Sequence, residues 1–306
     1  MLFSIALPQV VEDDHPALLA RHVRRAEELG FARVWSLDSV VGGRTSHAPL
    51  LDGLHVLTAA GAFSERIGLA IAVIVLPRRN PALLAKELAS IDHLTGGRLL
   101  VGVGLGVETG SGEALGFATD RRARRLEEGV GVMRAIWTQD EASYDGEVFR
   151  FSGAQIAPRP LQQPGPPIWV GAGQPPALRR AVRIGDGWIG AGSASSDDYL
   201  EQLRTVREEL ERAGRDPDAF PKAKRVYIAV EEDEREATER LAAVLDRMYD
   251  SPGMTERVAV CGTAERCAEE LRRLLDAGAD EVLLHPLYDP LGQLEAMAEV
   301  ARLATR

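Results

Sequence analysis

Short apolar runs alternate with amphipathic segments along the whole chain, and the joints between them follow one pattern. In AEELGFARVW, charged helix-forming residues give way to Gly30, placed where a left-handed C-cap is wanted, and then to a β-branched and aromatic run. The order of helix, glycine and buried strand returns in LTGGRLLVGVG around Gly96, in RIGDGWIGAG around Gly185 and in LDAGADEVLLHP around Gly278. Joints of this kind predict parallel strands connected by helices. The pattern places eight strands near 2–7, 33–38, 68–76, 99–104, 167–171, 187–191, 225–230 and 281–285. Helices fill 16–29, 49–62, 81–94, 121–137, 175–183, 197–213, 234–248, 264–276 and 291–303.

Eight strands interleaved with helices favour an α/β fold closed as a (β/α)8 TIM barrel over a doubly wound open sheet. FSIAL and EVLLH, the first and last strands, are both apolar, as expected if they pair and leave no exposed edge. One domain over 1–306 is expected, with two insertions. Residues 139–167 contain YDGEVFRF, a hairpin signal turning at Asp145 and Gly146, followed by the proline-rich APRPLQQPGPP. Residues 249–262, with Ser251, Pro252 and Gly253, read as a loop before the last helix and strand. Tyr144, Phe149, Phe151 and Trp169 supply apolar surface to dock these segments.

At 306 residues the chain is about twice the usual domain length but within the range of one barrel. The 36 Lys and Arg against 46 Asp and Glu leave a net charge of −10, which argues against a nucleic-acid partner. Cys261 and Cys267 lie too close in sequence to favour a disulfide and have no companions for a metal site, so a reducing, cytoplasmic setting is expected and no metal. The N-terminal MLFSIALPQVVEDDHP lacks a basic region and does not read as a signal peptide. No apolar run reaches the ~20 residues of a spanning helix, so no membrane role is indicated.

In such a barrel the functional face lies at the C-terminal ends of the strands. Those ends carry Asp38, Pro77 to Asn80, the series Gly102, Gly104 and Gly106, Gly171 to Gln174, Gly190 to Ser193, and His285. Glycine-rich ends admit a bulky ligand to the backbone and free amides hold phosphate oxygens, although the same glycines also ease tight turns. The helix opened by Pro175 and Pro176 is expected to point free amides at an anion. Asp38 is polar at the end of an apolar strand, where burial demands hydrogen bonds, and suits a structural role or a cofactor contact. Arg78, Arg79 and Asn80 place local positive charge that suits a phosphorylated cofactor or solvates the next helix start. His47 is the best-placed histidine for proton transfer, with a plain surface histidine as the alternative. His285 either faces the site or packs at the barrel end, and His93 caps its helix or packs outside. Lys86 falls within a helix and Lys222 and Lys224 ahead of the seventh strand, which disfavours an aldolase-type lysine. VGVGLG lacks the immediate helix of a dinucleotide fingerprint, and neither G-x-S-x-G nor H-E-x-x-H is present.

The ordered segments FARVWSLDS, ERIGLAIAVIVLPRRNP, LAKELASIDHLTGGRLLVGVGLG, RRARRLEEGVGVMRAIW, GEVFRF and PRPLQQPGPPIWVGAGQPPALRRAVRIGDGWIGAGS resemble the bacterial luciferase-like superfamily. Within it they resemble the coenzyme F420-dependent oxidoreductases, over residues 1 to about 193. The resemblance implies a reduced deazaflavin or flavin ring across the barrel mouth, with Asp38 following the second strand and a non-prolyl cis peptide at Ala72 and Val73 backing the ring. It further implies cofactor contacts from Gly104 and Gly106, and from phosphate-side loops at Gly171, Ala172, Gly173 and Gln174 and at Ala191, Gly192 and Ser193, with Asn80 at the same mouth. Ser39 stands where many deazaflavin enzymes have histidine, and Val107 where some have glutamate, with Glu108 one residue on. The family's proton donor therefore does not carry over, which leaves Asp38 and His47 as catalytic candidates. The leading expectation is hydride transfer between reduced coenzyme F420 and a small organic substrate. The alternatives are a two-component monooxygenase supplied with FMNH2 by a separate reductase, and a non-catalytic flavin-binding protein. A homodimer is expected from the same likeness.

Overall fold

The helix-to-strand glycines do the work their positions imply at Gly30, Gly96 and Gly278, which take φ of +81°, +65° and +105°. Gly185 differs, ending its helix in extended backbone at φ −93°. The computed structural model describes residues 2–38, 49–106 and 115–306. In chain order the elements are β1 (Phe3–Ala6), α1 (His15–Glu28), β2 (Arg33–Ser36), α2 (Gly53–Ala62), β3 (Gly68–Val75) and α3 (Pro81–Leu94). There follow β4 (Leu99–Gly104), α4 (Arg122–Thr138), β5 (Ala142–Asp145), β6 (Arg150–Ala154), β7 (Ile168–Gly171), α5 (Pro175–Ile184), β8 (Gly187–Gly190) and α6 (Ser196–Arg212). The last third comprises β9 (Lys222–Val230), α7 (Glu234–Tyr249), α8 (Met254–Val258), β10 (Val260–Gly262), α9 (Ala264–Asp276), β11 (Glu281–His285) and α10 (Pro290–Ala304).

Eight parallel strands close into a barrel in the order β9-β11-β1-β2-β3-β4-β7-β8, with β8 pairing back onto β9. The two apolar end strands form the seam, Phe3 opposite Val282 and Ile5 opposite Leu284. Alternate side chains fill the interior, among them Trp35, Trp169, Leu100, Ile189 and Leu283. Below them the Glu281 carboxylate collects the Ser4 hydroxyl, the Arg33 guanidinium and the Trp35 indole N–H, the last at 3.2 Å. This network plugs the N-terminal end. The chemistry is left to the other face.

Four expectations are corrected. The seventh barrel strand begins at Lys222, not 225, so Lys222 and Lys224 lie buried within it. Each ammonium is satisfied there: Lys222 Nζ donates to the Pro217 and Phe220 carbonyls and pairs with Asp280, and Lys224 Nζ donates to the Ala191 and Ala194 carbonyls. The segment 249–262 is no simple loop, since it holds α8 and β10, and β10 pairs in parallel with the end of β9. The second helix begins at Gly53 instead of 49, because the Asp52 carboxylate caps it by accepting the Leu54 and His55 amides. Trp169 faces the barrel interior against Trp35, ring centroids 6.3 Å apart, and does not dock the insertion. The hairpin of β5 and β6 does form, and Tyr144, Phe149 and Phe151 pack on the core. The buried Glu128 carboxylate holds its turn by accepting the Glu147, Val148 and Phe149 amides at 2.9–3.0 Å. Among the described residues no helix is long and apolar enough to cross a membrane.

Candidate active site

Asp38 follows β2 with its side chain only 2% exposed. One carboxylate oxygen accepts the Val75 amide at 2.9 Å, and the pair of oxygens receives Arg79 at 2.7 and 3.3 Å. Arg79 also reaches Asp52 at 3.4 Å. Burial works against the guanidinium charge, but the hydrogen bonds and attraction from Asp38 and Asp52 outweigh it and raise its pKa. The strand-end positive charge read from the sequence is thus largely balanced. Arg78 stands over the Phe117 ring at 5.9 Å, and the Asn80 carboxamide oxygen caps α3 by accepting the Ala82 and Leu83 amides.

The Ala72–Val73 peptide is cis, in a bulge where β3 shifts register against β4 between Ile71 and Ile74. Val73 leans over the glycines of the neighbouring strands. A Cβ on Gly104 would stand 2.7 Å from a Val73 methyl, and one on Gly102 would stand 2.3 Å from the Ile71 carbonyl oxygen. Gly102 and Gly104 are therefore required by the protein's own bulge, whereas Gly106 takes a φ of +66° and lies against Val75. Beyond it, the Arg122 guanidinium donates to the Leu105 and Gly106 carbonyls at 2.7 and 2.5 Å and fixes the chain leaving β4.

On the far side of the mouth, Gly171 ends β7 and Ala172 exchanges bonds with β8 through the Ile189 carbonyl and the Trp188 indole. Pro175 and Pro176 occupy the first helical positions of α5 and carry no N–H, so this helix start offers fewer donors than the sequence suggested. After β8, the loop of Ala191, Gly192 and Ser193 is tied down by Lys224, whose Nζ lies 2.6 Å from the Ala191 oxygen and 2.7 Å from that of Ala194. Burial, helped by the charge of Arg225, pulls the Lys224 pKa down to about 7.

His285 is buried at the end of β11 and stacks on Tyr227 of β9, centroids 5.2 Å apart. Burial and then the Arg225 charge hold its pKa well below the usual histidine value, so the imidazole is neutral at physiological pH. His93 lies outside the barrel, its ring bonded to the Arg159 carbonyl at 2.7 Å. Ser39, His47, Val107 and Glu108 fall outside the described residues. Sequence reasoning missed Lys224, Arg225 and Tyr227, although the two-residue spacing of Ala223, Arg225 and Tyr227 carries the strand alternation that sends all three inward.

A family model described as luciferase-like monooxygenase matches residues 1–281. The chain belongs to this family. The match runs well past residue 193, through β9 and β10. F420-dependent glucose-6-phosphate dehydrogenase of Gordonia bronchialis is 33% identical over 271 residues, covering 85% of this chain and 78% of the relative. Among solved structures of the same fold, an F420-dependent secondary alcohol dehydrogenase in complex with an F420-acetone adduct superposes with a TM-score of 0.84 at 22% identity, covering 99% of each chain. The oxygenating constituent of 3,6-diketocamphane monooxygenase from Pseudomonas putida, in complex with FMN, gives 0.78 at 15% identity, covering 99% of this chain and 98% of that one.

Proposed function

We propose that this family member transfers a hydride between reduced coenzyme F420 and a small organic substrate. The observation that carries the reading is the 33% identity, over 85% of the chain, to an F420-dependent glucose-6-phosphate dehydrogenase. The residues present fit such a group. Val73 and its cis peptide at Ala72 offer a wall at the mouth, and the loop of Gly171 to Gln174 ahead of α5 is where a phosphate would be received. When bound, F420 supplies the hydride-carrying ring; the chain supplies position and exclusion of water. In this reading Val73 backs the ring, and Gly104 and Gly106 shape the floor beside it. Gly171, Ala172, Gly173 and Gln174 line one phosphate side, and Ala191, Gly192 and Ser193, held by Lys224, line the other. Asn80 stands at the start of α3 on the same rim. Asp38, with both oxygens engaged, is a positioning residue that ties β2 to the bulge of β3. Proton transfer is assigned to His47, in the segment that follows it in sequence. The working form is a cytoplasmic homodimer, fed with reduced cofactor by a separate reductase.

Titrating the purified chain with reduced F420 and with FMNH2, followed by fluorescence, tests this. At least about tenfold preference for reduced F420 is expected, with no oxygen consumption. Preference for FMNH2 with oxygen uptake would move the protein to the monooxygenase branch of the family. His47→Ala is expected to lower kcat while leaving cofactor affinity intact.

A further inference from the structure

The inward face of β9 carries a cation with no counter-charge among the described residues. Arg225 lies one residue beyond the level at which β8 ends, since Gly190 is the register partner of Lys224, so its guanidinium is at the mouth. Its Nη2 donates to the Tyr227 hydroxyl, its guanidinium carbon lies 4.9 Å from the Tyr227 ring centroid, and the Tyr227 and Tyr249 hydroxyls are 3.0 Å apart. Arg225 Nε is buried and makes no hydrogen bond. Among the described residues no carboxylate pairs with it, whereas Arg33, Arg79 and Lys222 are matched with Glu281, Asp38 and Asp280. A half-buried guanidinium with no carboxylate beside it among the described residues, and with its occluded Nε–H unsatisfied, is costly to hold in a folded barrel.

Gly192 in the loop after β8 lies against the Nε edge, where a Cβ would stand 2.7 Å from Nε, so the part of the half-buried side chain left open to a ligand lies away from that edge. One feature beside the side chain points to what it holds. His285, the register partner of Tyr227, stacks on that ring and buries an Nδ1 that also makes no hydrogen bond. His285 also lines a cavity of about 540 Å³ whose walls include Leu7, Leu37, Leu50, Met248 and Tyr288, with Gln9 and Arg247 as polar members. His285 thus joins the Arg225–Tyr227 pair to a mostly apolar chamber.

We propose that Arg225, Tyr227 and His285 form a subsite for the carboxylate of a small organic acid whose apolar body occupies the adjoining cavity. The planar fork of arginine suits that group, and the N–H of the neutral imidazole adds a second donor. That this acid is the substrate of hydride transfer rests on the function proposed above; that the subsite binds a carboxylate does not. The phosphorylated tail of the cofactor carries the same oxyanion chemistry, and the experiment separates the two sources.

Calorimetric titration of the full chain with benzoate and with its neutral isostere benzamide, with and without reduced F420, provides the test. Benzoate is expected to bind at least about tenfold more tightly than benzamide in both states. Arg225→Gln is expected to abolish that preference, and Arg225→Lys to keep part of it, with the affinity for reduced F420 unchanged. Equal binding of benzoate and benzamide to the unaltered chain overturns the subsite without recourse to any variant. Loss of benzoate binding on addition of reduced F420, together with weaker F420 binding in Arg225→Gln, assigns the anion to the cofactor and overturns the substrate assignment. Failure of the unaltered chain to bind reduced F420 while it still prefers benzoate rejects the cofactor and leaves the subsite standing.

Discussion

The carboxylate of Asp38 serves two partners at once, the Val75 amide and the Arg79 guanidinium, and so joins the end of β2 to the end of β3 and the start of α3. Removing it leaves Arg79 with Asp52 alone, at 3.4 Å. Breaking a buried pair costs about 3–5 kcal/mol where the remaining charge is stranded, and the residual contact with Asp52 puts this one at the lower end. Asp38→Ala is therefore expected to lower the free energy of urea unfolding by about 3 kcal/mol. Asp38→Asn retains an acceptor for the Val75 amide and is expected to cost less. Full stability of Asp38→Ala with lost turnover would give Asp38 a role in the chemistry instead of in positioning. Asp38 was legible as a lone polar residue closing an apolar run. Its partner was not, because Arg79 lies 41 positions away and only the fold brings the two together.

Among the elements, β3 and β4 depend most tightly on each other, through the bulge that carries Val73 over the glycines. The two glycines respond differently to a methyl group. At Gly104 the obstacle is a Val73 side-chain methyl, which can be removed; at Gly102 it is the Ile71 backbone carbonyl, which cannot. Gly104→Ala is expected to cost about 1–3 kcal/mol by overpacking and to be rescued by Val73→Ala. Gly102→Ala is expected to cost at least as much and to gain nothing from Val73→Ala. Thermal unfolding of the single and double variants checks both, and equal rescue at the two positions would refute this account of the bulge. The glycines were readable as a series, but their reason was not, since it lies in the adjacent strand. The start of β9 was hidden for a similar cause. Lys222 and Lys224 look like solvent-facing residues in the sequence, and their burial depends on carbonyls of Pro217, Phe220, Ala191 and Ala194 that only the tertiary fold places within reach.

Across the whole molecule, stability depends on closing the ring, where β1 meets β11 and α1 packs on α10. His22 of α1 is fully buried at this seam. Burial lowers its pKa to about 4, with the nearby Pro290 and Ala6 backbone pulling weakly the other way. An unfolded imidazole titrates near 6.5. Between those values the unfolded chain binds more protons than the folded one, so stability is full above about pH 6.5 and falls as the pH drops toward 4. By about pH 5 the loss from this one group reaches about 2 kcal/mol. Hydrogen bonds or charge pairing hold many carboxylates, Glu27, Glu128 and Asp246 among them, below their usual range, so the window above pH 5 reports chiefly on histidines. His285, also buried and neutral, acts with the same sign at the C-terminal end of the seam strand β11, the end where His22 lies. His22→Leu removes one of these contributions and leaves the other. Urea midpoints measured at about pH 7.5 and about pH 5 are therefore expected to fall less in His22→Leu than in the unaltered chain, by the equivalent of about 2 kcal/mol. Identical acid losses in both proteins would show that the seam closes around His22 without desolvating it enough to resist protonation.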